Sequence, residues 1–198
     1  MSFGWLLLFP LSLSAQQILP LEEAFYEAVE QESRTLRGTP GPKYFQNEAN
    51  YLIEASIDPE TRLLKGTESI RYLNNSPDTL PKIIIRLYQD LYKPNPGFRR
   101  DDQLDAEELT EGVSITRMVY NGRALSVKGP ETAFERKGTN LYLNLPEPML
   151  PGQKMELEID WSFTIPNGHT VRMGTYGEHS FFVAYWYPQV AVYDDLWG

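Results

Sequence analysis

The sequence contains no cysteine. Disulfides, thiolate metal centres and thiol nucleophiles are therefore excluded, and the fold must rest on its core. Histidine is nearly absent too, with two residues, His169 and His179. Both fall in turn-forming stretches, Pro166-Asn-Gly-His-Thr170 and Tyr176-Gly-Glu-His-Ser180. Neither belongs to a His-Glu-x-x-His pattern, which would set two imidazoles on one helix face, so they read as loop histidines rather than as metal ligands. Basic residues are the minority, 18 Lys and Arg against 27 Asp and Glu, for a net charge of -9. That balance argues against a nucleic-acid partner, whose phosphates need clustered cations. There is no Gly-x-Ser-x-Gly elbow and no phosphate loop. The carboxylates are many, but no pair is singled out for glycoside chemistry. The acid-rich stretch Asp101 to Glu111 lacks the spacing and the glycine of a calcium loop, and reads as a solvated loop or short helix. By its chemistry alone, the chain is a non-catalytic β domain.

No apolar run is long enough for a permanent membrane span. Residues 1–15, Met-Ser-Phe-Gly-Trp-Leu-Leu-Leu-Phe-Pro-Leu-Ser-Leu-Ser-Ala, have the short apolar core and small-residue end of a secretory signal peptide, although no Lys or Arg precedes the apolar run. The expectation is export, to the periplasm or outside the cell, and a mature product that starts at Gln16.

What is abundant points to strands. The 198 residues include 15 prolines, 14 glycines and 12 tyrosines, a composition for strands and turns rather than long helices. One helix is predicted over Leu21–Arg34, where Leu21, Phe25, Ala28 and Val29 share a face. Gly38-Thr39-Pro40-Gly41-Pro42 then breaks the chain. Residues 16–42 read as a helical lead-in and linker, and 43–198 as the β domain.

From Tyr51 the period becomes two. Tyr51 to Ile57 and Leu63 to Leu73 predict a strand pair about the turn Asp58-Pro59-Glu60-Thr61, with Gly66 as a possible bulge. Ile83 to Tyr88 is apolar on both faces, as a central strand is. Val113 to Val127 predicts a hairpin about Asn121-Gly122, whose residues suit a type I′ turn. A strand over 141–145 leads into a proline-braced turn, Pro146 to Gly152. Met155, Leu157, Ile159, Trp161, Phe163 and Ile165 then alternate with polar residues, the pattern of a long strand in a large antiparallel sheet covered on one side. A final strand is predicted over Phe181–Tyr187. The aromatic residues Tyr176, Phe181, Phe182, Tyr185, Trp186 and Tyr187 could form a sugar platform, or core packing plus an interface.

Several of these pieces, in order, resemble the N-terminal β domain of the aminopeptidase N family of zinc metallopeptidases, the gluzincins. They are Tyr51-Leu-Ile-Glu-Ala-Ser-Ile-Asp-Pro-Glu-Thr-Arg-Leu-Leu-Lys-Gly66, Ile70-Arg-Tyr-Leu-Asn-Asn-Ser-Pro77 with Ile85-Arg-Leu-Tyr88, Leu150-Pro-Gly-Gln-Lys-Met-Glu-Leu-Glu-Ile-Asp-Trp161, and Trp186-Tyr-Pro-Gln-Val-Ala-Val-Tyr-Asp-Asp195. The resemblance covers about three-quarters of the chain and is most specific at the last piece, which is similar to the domain junction of secreted bacterial members. It implies a mainly β, saddle-shaped, largely antiparallel sheet or sandwich with one short N-terminal helix. It also implies a catalytic domain in cis, carrying the zinc and the His-Glu-x-x-His motif, neither of which this sequence supplies. The family's front domain lends a Gln or Glu near the junction to the free amine of the peptide substrate. Here that position falls near Tyr187, which is neither, and Gln189 is the nearest residue of the right type. Tyr187 and Gln189 are thus the candidate substrate-binding residues. The chain would be the non-catalytic front domain, or a truncated product, of a secreted zinc aminopeptidase. The rival reading is a free-standing β-sandwich module that binds a peptide, a glycan or a partner protein.

Overall fold

In a computed structural model, the described residues are 22–94, 105–130, 132–168, 172–178 and 180–196. The signal-peptide expectation, both histidines and residues 101–104 of the acid-rich stretch lie outside them. The fold is mainly β and antiparallel, with one α-helix near the N-terminus. The chain divides into two compact units at Tyr44/Phe45.

In the first unit, helix α1 spans Glu23–Glu30, shorter at each end than the periodicity predicts. The Gly-Pro stretch that follows is not a loose tether. Ser33 and Arg34 both donate backbone N–H groups to the Ala28 carbonyl, and Gly41 N donates to Ser33 O at 2.8 Å. The Lys43–Glu32 ion pair, at 2.6 Å, joins the ends of this loop. Both partners are exposed, so it adds little stability.

The second unit holds the sheets. Strands β1 (Glu48–Asp58), β2 (Leu63–Leu73), β3 (Leu80–Arg86), β4 (Ser114–Tyr120), β5 (Arg123–Ala124), β6 (Phe134–Lys137), β7 (Asn140–Met149), β8 (Lys154–Thr164), β9 (Met173–Tyr176), β10 (Ser180–Val183) and β11 (Gln189–Val190) follow in order. A five-stranded sheet runs β1-β2-β8-β4-β5, a four-stranded sheet runs β11-β3-β7-β6, and β9 and β10 form a separate ribbon. The long alternating strand is β8, at the middle of the larger sheet. Its Met155, Leu157, Ile159, Trp161 and Phe163 are buried, as the alternation requires. They pack in one core with Ile70 and Tyr72 of β2, Met118 of β4, Ile83 and Ile85 of β3, and Leu141 and Leu143 of β7. The Asn121-Gly122 turn has both residues at positive φ, 46° and 78°, the type I′ geometry.

Three local expectations are corrected. Gly66 is not a bulge: β1 and β2 pair without a break, and Gly66 lies opposite both Ala55 and Trp161. The bulge lies instead in β4, between Ile115 and Arg117 opposite β8. The prolines at 146 and 148 do not end β7. The β3–β7 register jumps there, from Leu80↔Met149 to Lys82↔Asn144, so they occupy the stretch where ladder bonds are absent anyway. Finally, Phe181–Tyr187 is not one strand. It ends as β10 at Val183, and Tyr185 turns the chain at φ 53°.

Asn74 anchors the loop between β2 and β3. It is fully buried. Its amide nitrogen donates to Asp78 O at 2.8 Å and Met149 O at 3.3 Å, and its oxygen accepts from Ser76 N and Ser76 Oγ. Every polar atom of a buried amide is thereby satisfied, as burial demands.

Candidate functional site at the segment 185–193

The segment that carries Tyr187 and Gln189 is tied down along its length. At its start, Gln89 Nε2 donates to Tyr185 O at 2.6 Å. The Tyr185 ring packs on that of Tyr88, with centroids 4.7 Å apart, and the Arg172 guanidinium lies 5.1 Å above it. Trp186 turns inward to Trp161, at 5.9 Å between centroids. Tyr187 makes edge contacts with Tyr51 at 5.4 Å and with Trp186 at 5.1 Å. Gln189 and Val190 then pair with Arg86 and Ile85 as β11. Val190 N donates to the Tyr51 hydroxyl at 2.9 Å, and Ala191 N to Ile84 O at 2.8 Å. At the far end, Tyr193 Oη donates to Asp78 Oδ2 at 2.8 Å.

These contacts decide what the two candidate residues can do. Tyr187 is half-buried, and its ring is committed to the Tyr51–Trp186 packing. Gln189 is half-buried, its backbone is committed to β3, and its side-chain amide makes no hydrogen bond among the described residues. The two lie on one segment, and Gln189 is the one whose free acceptor is a side-chain amide. Burial pushes the Tyr51 phenol up to about 12, so this hydroxyl stays neutral and keeps its hydrogen bond at any physiological pH. The Tyr193 phenol is also raised to about 12, first by burial and then by its bond to Asp78.

Beside Tyr51 lies a residue that the motif reading does not single out. Glu68 is completely buried, and neither carboxyl oxygen has a hydrogen-bond partner among the described residues. Burial alone raises its carboxyl to about 8, so the acid is neutral at pH 7. Its signal is nonetheless present in the sequence. Within Leu63–Leu73, Glu68 has the same parity as Ile70 and Tyr72, both buried, so alternation alone turns it inward. It faces Ile53 on β1 and Ile159 on β8 across the ladder, and no cation among the described residues offsets it.

Among the described residues, no group of three or more His, Asp or Glu side chains is placed to hold a metal ion. Nor is any helix among them long and apolar enough to cross a membrane.

No protein-family model matches the chain, and no curated protein matches it. Among solved structures, it is similar to the M1 zinc metallopeptidase from Deinococcus radiodurans, at 15% identity over 70% of this chain and 26% of that one, with a TM-score of 0.41. A mutant of that enzyme bound to a Tyr-Ser-Ala substrate aligns at 14% identity over 66% of this chain and 23% of that one, with a TM-score of 0.40. The two-domain mutant bound to L-arginine aligns at 13% identity over 67% and 24%, also with a TM-score of 0.40. The chain spans about a quarter of the length of these structures.

Proposed function

We propose that this chain is the non-catalytic β domain of an exported zinc aminopeptidase, which covers the catalytic domain and helps to orient the amino terminus of a peptide. One observation carries the reading. Three of the pieces that resemble the aminopeptidase N front domain are remote in sequence, yet they meet at one place: Tyr51 from the first, Trp161 from the third, and Trp186 and Tyr187 from the last. Pieces that follow one another in the order of the resemblance are thus also in contact in the fold. On this reading the zinc and the peptide-bond hydrolysis belong to a second domain, joined in cis beyond the junction at 186–195. Gln189 is the group of this chain that offers an amide oxygen to a substrate ammonium, an acceptor role that suits its unengaged side chain. Residues 1–15 would direct export and be removed.

The gene itself gives the test. A reading frame that continues past Gly198 into a helix bearing His-Glu-x-x-His supports the proposal, and a stop codon at that point overturns it. The purified chain should release no amino acid from aminoacyl anilides, with or without zinc. Mass spectrometry of the exported product should give a terminus at Gln16.

A second reading has a specific observation behind it. Tyr176, Phe182 and Tyr185 are 44%, 52% and 39% exposed, a set of aromatic side chains that a binding module for a peptide, a glycan or a partner protein would present. Saturable glycan or peptide binding by the chain, lost in Phe182→Ala and Tyr185→Ala, would favour it over the first.

A further inference from the structure

Arg62 closes the turn between β1 and β2 in a conformation that its side chain does not favour. Its φ is 57°, in the left-handed region where Gly or Asn is the usual occupant. The backbone is held there by Ile165 N, which donates to Arg62 O at 2.9 Å. Backbone strain kept at a residue with a large functional group is a pointer to that group's use.

Among the described residues the guanidinium has no partner. Arg62 Nη1 is sealed from solvent without a hydrogen bond, and Arg62 makes no ion pair among the described residues, although the chain carries a net charge of -9. Asp58, a carboxylate of the same turn, is already occupied. It accepts from Glu60 N at 3.0 Å and from Thr61 Oγ1 at 2.7 Å. A guanidinium nitrogen sealed from water in this way calls for an acceptor.

Arg62 lines a cleft of about 350 Å³. Thr110, Ser114, Ser162 and Thr164 also line it, with Leu63 supplying apolar surface. The register sets Ser114 directly opposite Ser162, and Leu63 opposite Thr164, so the three hydroxyl side chains on β4 and β8 cluster beside the Arg62 turn. Glu111 stands at the same cleft, exposed and with no ion pair among the described residues.

We propose that this cleft binds an oxyanion, the carboxylate or phosphoryl group of a small ligand, held by the Arg62 guanidinium and by hydroxyls of Ser114, Ser162 and Thr164. A planar guanidinium fork matches the two oxygens of either group, and hydroxyl donors complete the shell. The apolar surface beside them takes the body of the ligand. This site is separate from the segment 185–193 and does not rest on the aminopeptidase reading.

The test is a titration of the whole chain with inorganic phosphate and, separately, with acetate, at constant ionic strength in chloride, followed by backbone-amide NMR. Saturable shifts at Leu63, Ser114, Ser162 and Thr164 are expected with at least one of the two anions, and which of them saturates says whether the site takes a phosphoryl group or a carboxylate. Arg62→Asn removes the guanidinium while suiting the left-handed backbone, so it should fold at least as well as the parent and lose the saturable response. Arg62→Lys keeps the charge without the fork and should weaken binding by about tenfold. Glu111→Gln should tighten it by severalfold. No saturable shift with either anion, or an undiminished response in a folded Arg62→Asn, overturns the proposal.

Discussion

The indole of Trp161 lies against the backbone of Gly66, so closely that a Cβ on Gly66 would stand 2.7 Å from Trp161 Cζ2 and 2.9 Å from the Glu54 carbonyl oxygen. The glycine is there for space. It lets the largest side chain of β8 cross to β2 and reach Phe163 and Trp186. Gly66→Ala should therefore destabilise the domain by roughly 1–3 kcal/mol, the usual range for overpacking. A urea titration followed by tryptophan fluorescence reads both the lost stability and the displaced indole. An unchanged midpoint would mean that Trp161 moves away without cost.

Glu68 makes stability depend on pH with a definite sign. Its carboxyl is raised by burial from an ordinary value of 4.5 to about 8. Between those two values the unfolded chain has released the proton and the folded chain still holds it, so the folded state binds more protons and stability falls as pH rises. Below 4.5 the effect is absent, and above about 8 it is fully developed. Glu68→Gln and Glu68→Leu should both gain stability relative to the parent as pH rises through this window, by a few kcal/mol at its upper end. Urea midpoints at a series of pH values check it. A parent-minus-variant difference that stays flat with pH would show that Glu68 ionises freely in the folded state.

The Tyr51 hydroxyl is what holds the Val190 amide. Tyr51→Phe keeps the ring contact with Tyr187 but strands a partly buried N–H, at a cost of about 1–2 kcal/mol. Hydrogen exchange should locate the loss: protection at Val190 falls well before that of the β8 amides. Uniform loss across both sheets would mean that the hydroxyl supports the whole core rather than this segment.

Asp90 joins parts of the chain that share no ladder. Its buried carboxylate accepts from Val113 N at 2.7 Å and meets Arg136 Nη1 at 3.3 Å. Burial holds its carboxyl above the ordinary range even though Arg136 pulls the other way. Asp90→Ala leaves the Val113 amide without its acceptor and the Arg136 guanidinium with the Val113 carbonyl but no counter-charge. A loss of about 2–3 kcal/mol is expected, less than for a fully enclosed pair because Arg136 is 24% exposed. A double-mutant cycle with Arg136→Met separates the ion pair from the bond to Val113.

Alternation made most of the sheet legible. Wherever one face is buried, as in β2 and β8, period two follows from the pleat and survives into the structure. Asn121-Gly122 was legible for the same local reason, since few residue pairs accept two positive φ angles. What was not legible depended on partners far away in the chain. Gly66 looks like a bulge until Trp161 is set beside it. Pro146 and Pro148 look like a stop until the register jump opposite Leu80 shows that no ladder bond was needed there. Arg62, which has no ion pair among the described residues, is an ordinary turn residue in the sequence, because its isolation depends on how Asp58 is engaged within the turn. Of the candidate site, Tyr187 and Gln189 rest on resemblance, whereas Glu68 is legible from simple parity, since it shares the face of Ile70 and Tyr72 and belongs to no motif.

The tie from Tyr51 to Val190 spans 139 residues of chain. A ribosome adding about 5–20 residues per second takes on the order of ten seconds to supply the second partner after the first. Through that interval β1 can pair with β2, but Tyr51 lacks Tyr187 above it and an amide for its hydroxyl. The inner surface at Tyr51 is open to solvent for as long. Closure over such a separation is also slow in itself, because the entropy of the loop is lost before the contact is gained. This β domain therefore cannot complete itself from its first strand forward: β1 is finished only once β11 has been made.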